Sequence, residues 1–204
     1  RPTLEKLKAA GLDAISAYVP WIWHEVTEGE FDFTGRSDPS RDLEGFLALT
    51  AELGLPVVIK PGPYIFAEYQ GFGLPHWLHT NHPECFMVVH RPQEFPQPSM
   101  NHPAFLALVR KWFDQVAAVI RPYVERGCVM AIQVDNETGY PQFGQGPHLT
   151  DRNPEALQLL RAALTEHFSS IDELNARWGT RFASFADVEP PEERLYNEGQ
   201  LDTM

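Results

Sequence analysis

The segment from Val129 to Gly139 constrains this chain most, because an apolar run there ends abruptly in three polar side chains. The run shows almost no alternation of apolar and polar residues, which is typical of a parallel strand covered by helices. Asp135, Asn136 and Glu137 follow it directly. In barrels of parallel strands the reactive residues lie at the carboxyl ends of the strands. The segment therefore predicts a buried parallel strand that carries Glu137 into a pocket.

Strand patterns alternate with helical patterns along most of the chain. Helices are predicted from Leu4 to Gly11, Leu43 to Gly54, Phe105 to about Pro122, Ala156 to His167 and Ser170 to Gly179. Strands are predicted from Ala14 to Pro20, Pro56 to Lys60 and Cys128 to Asp135. Asn153 is expected to cap the helix that follows it. Ser170 and Glu173 have the spacing of a capping box.

Three strands that alternate with helices fit either a doubly wound sheet or part of an eight-stranded barrel. No glycine-rich phosphate-binding turn follows any of the strands, which argues against a nucleotide-binding fold. A barrel needs about 250 residues, and the alternation here accounts for about half of one. We therefore predict an α/β protein in which residues 1–188 form roughly the first half of a TIM (β/α)8 barrel. Residues 189–204 are expected to be a linker-like tail that leads to a missing remainder.

The composition argues against several classes of partner. The chain has 16 Lys and Arg residues against 28 Asp and Glu residues, and no basic cluster that could follow a phosphate backbone, so no nucleic acid is expected. No apolar run is long enough to span a bilayer and no signal sequence opens the chain, so no membrane partner is expected. Cys85 and Cys128 alone cannot build a disulfide framework. A soluble protein is expected, with the cytoplasm favoured over secretion and the compartment otherwise open.

Each predicted strand ends in a cluster of polar and aromatic residues. The clusters are Tyr18, Trp21, Trp23, His24 and Glu25 after the first strand, Tyr64, Glu68 and Tyr69 after the second, and Asn136 and Glu137 after the third. A barrel active site predicts such repetition at equivalent strand ends. Aromatic rings stack on the C–H faces of sugars, while carboxylates and amides bind hydroxyl groups. Carbohydrate is therefore the predicted substrate class, and no metal or other cofactor is expected.

Five motifs occur in a fixed order along the chain. They are Tyr18-Val19-Pro20-Trp21 with His24-Glu25, Gly29-Glu30-Phe31-Asp32-Phe33, Pro61-Gly62-Pro63-Tyr64-Ile65 with Ala67-Glu68, Gly73-Leu74-Pro75 with Trp77, and Gln133-Val134-Asp135-Asn136-Glu137. This set resembles the β-galactosidases of glycoside hydrolase family 35, which belong to a large clan of retaining barrel glycosidases. The later motifs Leu174-Asn175 and Trp178-Gly179-Thr180 are more similar to family 42 of that clan. The departures from the usual family 35 residues are Ile22, Phe66, Asp135 and Thr138.

The resemblance implies a retaining β-galactosidase that removes terminal β-D-galactose. Glu137 would be its general acid/base, and Asn136 would hold the sugar 2-hydroxyl. The positions that line the galactose subsite are matched by Tyr64, Ala67 and Glu68, and the ring at its edge by Tyr18. The nucleophile of this clan is a glutamate on a later strand, which cannot be placed here, so the chain alone is expected to be inactive. The implied partner is a β-galactoside or another β-linked oligosaccharide.

Plainer structural explanations remain for several of these residues. Trp21 and Trp23 fit packing as well as they fit sugar binding, and Trp77 fits packing better. Glu25, beside His24, fits a hydrogen bond or ion pair that fixes a loop. A function of a different class also stays open, namely a non-catalytic carbohydrate-binding or interaction module built on a degenerate or truncated glycosidase barrel. Its apolar barrel edge would have to be covered by a partner chain or by a second copy in a homo-oligomer.

Overall fold

The computed structural model describes residues 1–89, 96–138 and 150–190. The chain divides into two compact units, one formed by Arg1–Pro83 and Ala107–Thr138 and the other by Glu84–Leu106 and Gly139–Met204. Of the predicted tail, only Glu189 and Pro190 belong to the described residues. Gly139, the last residue of the segment that begins at Val129, also lies outside them.

Helices and strands alternate in the described residues, as the sequence predicts. The strands are β1 (Ile15–Tyr18), β2 (Val57–Ile65) and β3 (Val129–Asn136). The helices are α1 (Pro2–Ala9), α2 (Trp21–His24), α3 (Leu43–Leu53), α4 (His76–Asn81), α5 (Pro103–Glu125), α6 (Pro154–His167) and α7 (Ile171–Trp178). Short 3-10 turns cover Pro39–Arg41, Gln70–Gly73, Pro83–Cys85 and Phe185–Asp187.

A parallel sheet forms the centre of the first unit, with its strands in the order β1-β2-β3. Residues 15–18 of β1 pair with residues 57–60 of β2. Strand β2 pairs with β3 from Val57 opposite Val129 to Ile65 opposite Asn136. Helices α3 and α5 lie in the connections between successive strands, which is the crossover that parallel pairing requires. The carboxyl ends of all three strands therefore meet at one edge of the sheet.

Strand β2 is longer than the sequence predicts. The sequence predicts a strand from Pro56 to Lys60, whereas the strand continues through Pro61 and Pro63 to Ile65. Its pairing with β3 shifts register on either side of Gly62, so the prolines occupy irregular parts of the ladder. The extension places Tyr64 within the strand rather than after it.

Strand β3 is parallel, as predicted, but the expectation that it is buried is wrong. Met130, Ile132 and Val134 are 59%, 48% and 61% exposed. The reason is its position, because β3 is an outer strand of the described sheet and only β2 pairs with it. The apolar composition of β3 is typical of a strand with neighbours on both sides, but in the described residues a strand pairs with it on one side alone.

Aromatic rings fill much of the core between the sheet and the helices of the first unit. Trp112 of α5 is completely buried and its indole nitrogen donates a 2.8 Å hydrogen bond to the carbonyl oxygen of Pro61. Trp21 stacks on Trp112 at 5.8 Å between ring centroids and meets Trp77 edge-on at 5.9 Å. Trp21 and Trp77 are therefore packing residues, whereas Trp23 is 42% exposed.

The helix ends agree with the sequence at some positions and differ at others. Gly54 and Gly179 end α3 and α7 in the left-handed conformation, as their glycines predict. Helix α5 runs to Glu125, so the predicted end near Pro122 is one turn too early. Helix α1 ends at Ala9 with Ala10 as its cap, and Gly11 follows with a positive φ of 86°.

The second unit has a small core of its own. Its buried side chains are Leu164, Phe168, Leu174, Trp178 and Val188. Ser170 caps α7 by accepting a hydrogen bond from the backbone of Glu173, while the Glu173 carboxylate accepts from Ser169, so the predicted capping box is present in modified form. Asn153 occupies the N-cap position of α6, as predicted, but its side chain makes no capping hydrogen bond. Its Nδ2 donates instead to the carbonyl oxygen of Phe86 at 3.0 Å.

Candidate active site

Strands β1 and β3 contact each other through their last side chains at the carboxyl edge of the sheet. The Tyr18 hydroxyl donates a 3.2 Å hydrogen bond to Oδ1 of Asn136, although 118 residues separate the two in sequence. Both strands flank β2, so this bond crosses the end of the middle strand. Two of the predicted site residues are thus joined directly.

Asn136 is the most firmly held side chain of this edge. Its Oδ1 accepts from the Tyr18 hydroxyl and, at 3.0 Å, from Nε2 of Gln133, while its Nδ2 donates at 2.9 Å to the carbonyl oxygen of Phe66. An amide oxygen has two lone pairs and an amide nitrogen has two protons. Both acceptor positions of Asn136 are therefore used, and one of its N–H donors makes no bond to the residues that the structure describes.

Asp135 connects the last residues of β2 and β3. Its Oδ1 accepts a 3.0 Å hydrogen bond from the backbone nitrogen of Tyr64. Burial raises the pKa of the Asp135 carboxyl above its usual range, and the hydrogen bond from Tyr64 opposes that shift. Burial also raises the pKa of the Tyr64 phenol to about 12, with smaller contributions from the charges of Asp135 and Glu137. The Tyr64 ring therefore lies within electrostatic reach of both carboxylates and stays a neutral hydrogen-bonding group.

Glu137 follows Asn136 directly and its side chain is exposed. Its φ is +56°, in the left-handed region that side chains other than Gly, Asn and Asp seldom adopt. Asp135 has the same φ, so two of three consecutive residues at the end of β3 are left-handed. Such conformations concentrate at functional sites, where the surroundings hold them in place.

Aromatic rings form a wall beside these polar groups. Tyr64 stacks on Phe72 at 5.1 Å between ring centroids, and Phe72 in turn stacks on Phe66 at 5.7 Å. Tyr18 meets Tyr69 edge-on at 6.1 Å, and both rings are partly exposed, at 36% and 39%. Flat apolar faces beside hydrogen-bonding groups suit the mixed surface of a sugar ring.

Ala67 and Glu68 follow the end of β2, close in sequence to Phe66 and the aromatic wall. Ala67 is half-buried, and Glu68 is exposed with a φ of +55°. Glu68 therefore has a left-handed backbone, as Asp135 and Glu137 do. Its carboxylate makes no hydrogen bond or ion pair within the ranges that the structure describes.

Glu25 lies in a separate network that fixes the loop after α2. Its carboxylate accepts hydrogen bonds from the Trp21 indole and, at 2.7 Å, from the backbone of Gly29. His24 takes no part in this network, since its Nδ1 bonds to the carbonyl oxygen of Asp32. The loop-fixing explanation of Glu25 is thus confirmed, with partners other than His24.

Sequence reasoning named two further residues of this edge without predicting their contacts. Gln133 belongs to a motif, but its hydrogen bond to Asn136 depends on the backbone conformation at the end of the strand. Tyr69 belongs to the second cluster, but the sequence does not predict its contact with Tyr18. A polar residue within an apolar strand, three positions before the key amide, is the signal that could have identified Gln133.

The described residues hold no group of three or more side chains arranged to bind a metal ion. His82, one of three closely spaced histidines, bonds instead to the Glu28 carboxylate at 2.9 Å. Within the same ranges, no helix combines the length and the apolar character needed to cross a membrane.

Comparison with known proteins identifies relatives of this chain. It is 37% identical to an exo-β-D-glucosaminidase of Pyrococcus horikoshii over 92% of this chain and 25% of that protein. It is 34% identical to a β-1,2-glucosyltransferase of Ignavibacterium album over 96% of this chain and 28% of that protein. A mouse β-galactosidase is 40% identical over 67% of this chain and 19% of that protein. The chain thus spans about a quarter, or less, of the length of these relatives.

A solved structure and a family model complete the comparison. The catalytic domain of β-amylase from Paenibacillus polymyxa superposes with a TM-score of 0.59 and 21% identity, covering 93% of this chain and 48% of that chain. That domain is a TIM-barrel glycosidase, so the predicted fold class, an α/β chain forming part of a barrel, is confirmed. Residues 1–170 match the model of glycosyl hydrolases family 35. With its parallel strands, its acidic and aromatic strand ends and this match over most of its length, the chain belongs to glycosyl hydrolases family 35.

Proposed function

We propose that this chain carries the acid/base half of a retaining β-glycosidase that removes terminal β-D-galactose, with Glu137 as the general acid/base. The observation that carries the proposal is the environment of Asn136, directly before Glu137. Three hydrogen bonds hold its amide, and among the described residues one N–H donor is left for a ligand. A fixed donor next to an exposed glutamate suits a sugar whose 2-hydroxyl binds while its glycosidic oxygen receives a proton.

The reaction would proceed in two steps. In the first, a carboxylate attacks the anomeric carbon, the bond from that carbon to the leaving oxygen breaks, and Glu137 transfers its proton to that oxygen. In the second, Glu137 takes a proton from water, whose oxygen displaces the carboxylate from the sugar. Glu25 is unsuited to attack, because the loop-fixing network occupies both its carboxylate oxygens. We assign the nucleophile to a glutamate on a later strand of the barrel, and Glu68 to hydroxyl binding.

The hydrogen bonds of Asn136 also favour a particular group at carbon 2 of the sugar. A hydroxyl oxygen can accept from the remaining N–H, whereas an ammonium group offers only donors. A 2-amino sugar in its charged form would thus place donor against donor, and both acceptor positions of Asn136 are already used. The site therefore fits a neutral 2-hydroxy sugar, as in a β-galactoside, better than the glucosaminide suggested by the name of one relative.

Hydrolysis of chromogenic β-D-galactosides by the complete natural protein tests the proposal. Glu137→Gln should lose most activity on substrates with poor leaving groups and retain much more on those with good leaving groups, which need no proton. Glu166→Gln is the matched control, because Glu166 is an exposed glutamate of α6 outside the site. The matching β-D-glucosaminide should be cleaved more slowly than the galactoside.

Two results would contradict the proposal in different ways. An intact protein that binds sugar but cleaves no β-glycoside would remove the catalytic function and favour a carbohydrate-binding module. Activity in Glu137→Gln equal to that of the natural protein on poor leaving groups would move the acid/base role to another residue.

A further inference from the structure

We propose that Asp135 is a positioning residue, whose carboxylate closes a bulge between β2 and β3 and so sets the direction in which Glu137 leaves the sheet. This inference rests on the proposed function of Glu137. It concerns a residue that departs from the usual family pattern and to which the resemblance gives no role.

The pairing of β2 with β3 contains the bulge. Gly62 lies opposite Val134 and Ile65 lies opposite Asn136. Two residues of β2, Pro63 and Tyr64, therefore face a single residue of β3, which is Asp135. Bulges of this kind bend a strand and occur frequently beside active sites, where they redirect side chains.

The bulge leaves a backbone donor that needs a partner. Pro63 has no N–H group, and Tyr64, which is only 2% exposed, falls where the regular ladder is interrupted. Buried backbone N–H groups are almost always hydrogen-bonded. The Asp135 carboxylate accepts this bond at 3.0 Å, in the place of a backbone carbonyl. The ladder resumes immediately afterwards, with the Phe66 nitrogen donating to the Asn136 carbonyl oxygen at 3.2 Å.

The backbone of Asp135 links this bond to Glu137. Asp135 has a φ of +56°, a conformation that Asp and Asn adopt more readily than most residues. Two residues later Glu137 has the same φ, without the help that a short polar side chain gives. The side-chain bonds of Asp135 to Tyr64 and of Asn136 to Phe66 add to the backbone bond between Phe66 and Asn136 in holding this turn to the end of β2. Removing the first frees one side of the segment that aims Glu137.

Three substitutions in the complete natural protein separate the possible roles of Asp135. Asp135→Asn keeps an acceptor oxygen and tolerates the left-handed backbone. Asp135→Gly tolerates that backbone better still but has no acceptor. Asp135→Ala has neither advantage. Each variant is compared at a temperature at which circular dichroism shows that it is folded.

The first readout is kcat/KM for aryl β-galactosides with poor and good leaving groups. A misdirected acid slows only reactions that need a proton, so Asp135→Gly and Asp135→Ala should lose on the order of 10²-fold on the phenyl glycoside. On the dinitrophenyl glycoside they should lose less than about threefold, since departure there needs little protonation. Asp135→Asn should stay close to the natural protein on both substrates. A residue that only stabilises the fold would not alter the ratio between the two substrates.

The second readout is amide hydrogen exchange at Tyr64, which does not depend on activity. Exchange should accelerate in Asp135→Gly and Asp135→Ala and stay protected in Asp135→Asn. If the natural protein is active but Asp135→Gly keeps its ratio of kcat/KM between the two substrates, or keeps the Tyr64 amide protected, the positioning role of Asp135 alone is overturned. A protein inert on every β-glycoside overturns the proposed function together with this role, so the two failures are distinguishable.

Discussion

Replacing Tyr18 with phenylalanine removes one defined hydrogen bond from the candidate site and leaves the ring in place. The lost bond is the 3.2 Å contact from the Tyr18 hydroxyl to Oδ1 of Asn136. The ring would keep its edge-on contact with Tyr69 and its position beneath the Lys60 ammonium, which lies 5.0 Å from the ring centroid. Any change in activity then reports on how tightly Asn136 is oriented.

The expected effect is small and can be bounded. A hydrogen bond contributes about 0.5–1.5 kcal/mol net, and 3.2 Å is longer than the usual distance for a hydroxyl donor. Asn136 also keeps its bonds to Gln133 and Phe66. We therefore take the lower part of that range, which corresponds to a loss of about two- to fivefold in kcat/KM.

The dependence on substrate makes the prediction specific. The loss should appear with a β-galactoside and disappear with its 2-deoxy analogue, because Asn136 then has no 2-hydroxyl to hold. Tyr69→Phe is the matched control, since the Tyr69 hydroxyl makes no hydrogen bond within the described part of the chain. An equal loss on the 2-deoxy substrate, or an equal loss in Tyr69→Phe, would refute the assignment of Asn136 to the 2-hydroxyl.

Two further predictions concern the core. Burial raises the pKa of the Glu25 carboxyl above its usual 4.5. Just above pH 4.5 the folded state therefore keeps a proton that the unfolded chain has released. The free energy of unfolding should fall as the pH rises through this range. Glu25→Gln should abolish this fall, and at low pH it should lower the free energy of unfolding by about 1–3 kcal/mol, because one acceptor oxygen must then serve two donors. Urea titrations at several pH values measure both effects. A dependence of stability on pH that is unchanged in the variant contradicts the assignment. Trp112→Phe should lower the free energy of unfolding by about 2–4 kcal/mol, through a smaller ring and an unpaired carbonyl oxygen at Pro61. The exposed Trp23→Phe should cost less than about 1 kcal/mol, and equal losses in the two variants would contradict the packing described here.

The positions of the strand ends were predictable from sequence because the signal there is local. An apolar run followed by polar residues identifies both the strand and the point at which it ends, as in β1 and β3. The parallel direction of the strands follows from the helices that connect them. The end of β2 could not be found in this way. Any rule that considers one strand alone predicts that the strand ends before Pro61 and Pro63. Only the bulged pairing with β3 accommodates them.

The hydrogen bonds of the site depend on register, which local patterns do not determine. A slip of one residue between β2 and β3 would move Asp135 away from Tyr64 and turn Asn136 away from Phe66. The bulge fixes that register, since the two residues of β2 facing Asp135 include a proline without an N–H group and a tyrosine whose N–H needs an acceptor. The bulge with prolines that hides the true end of β2 from sequence rules also leaves the Tyr64 N–H group to which the Asp135 carboxylate bonds. In the role proposed for Asp135, a local exception to strand propensity and a departure from the family pattern meet at one place, the turn after β3 that carries Glu137.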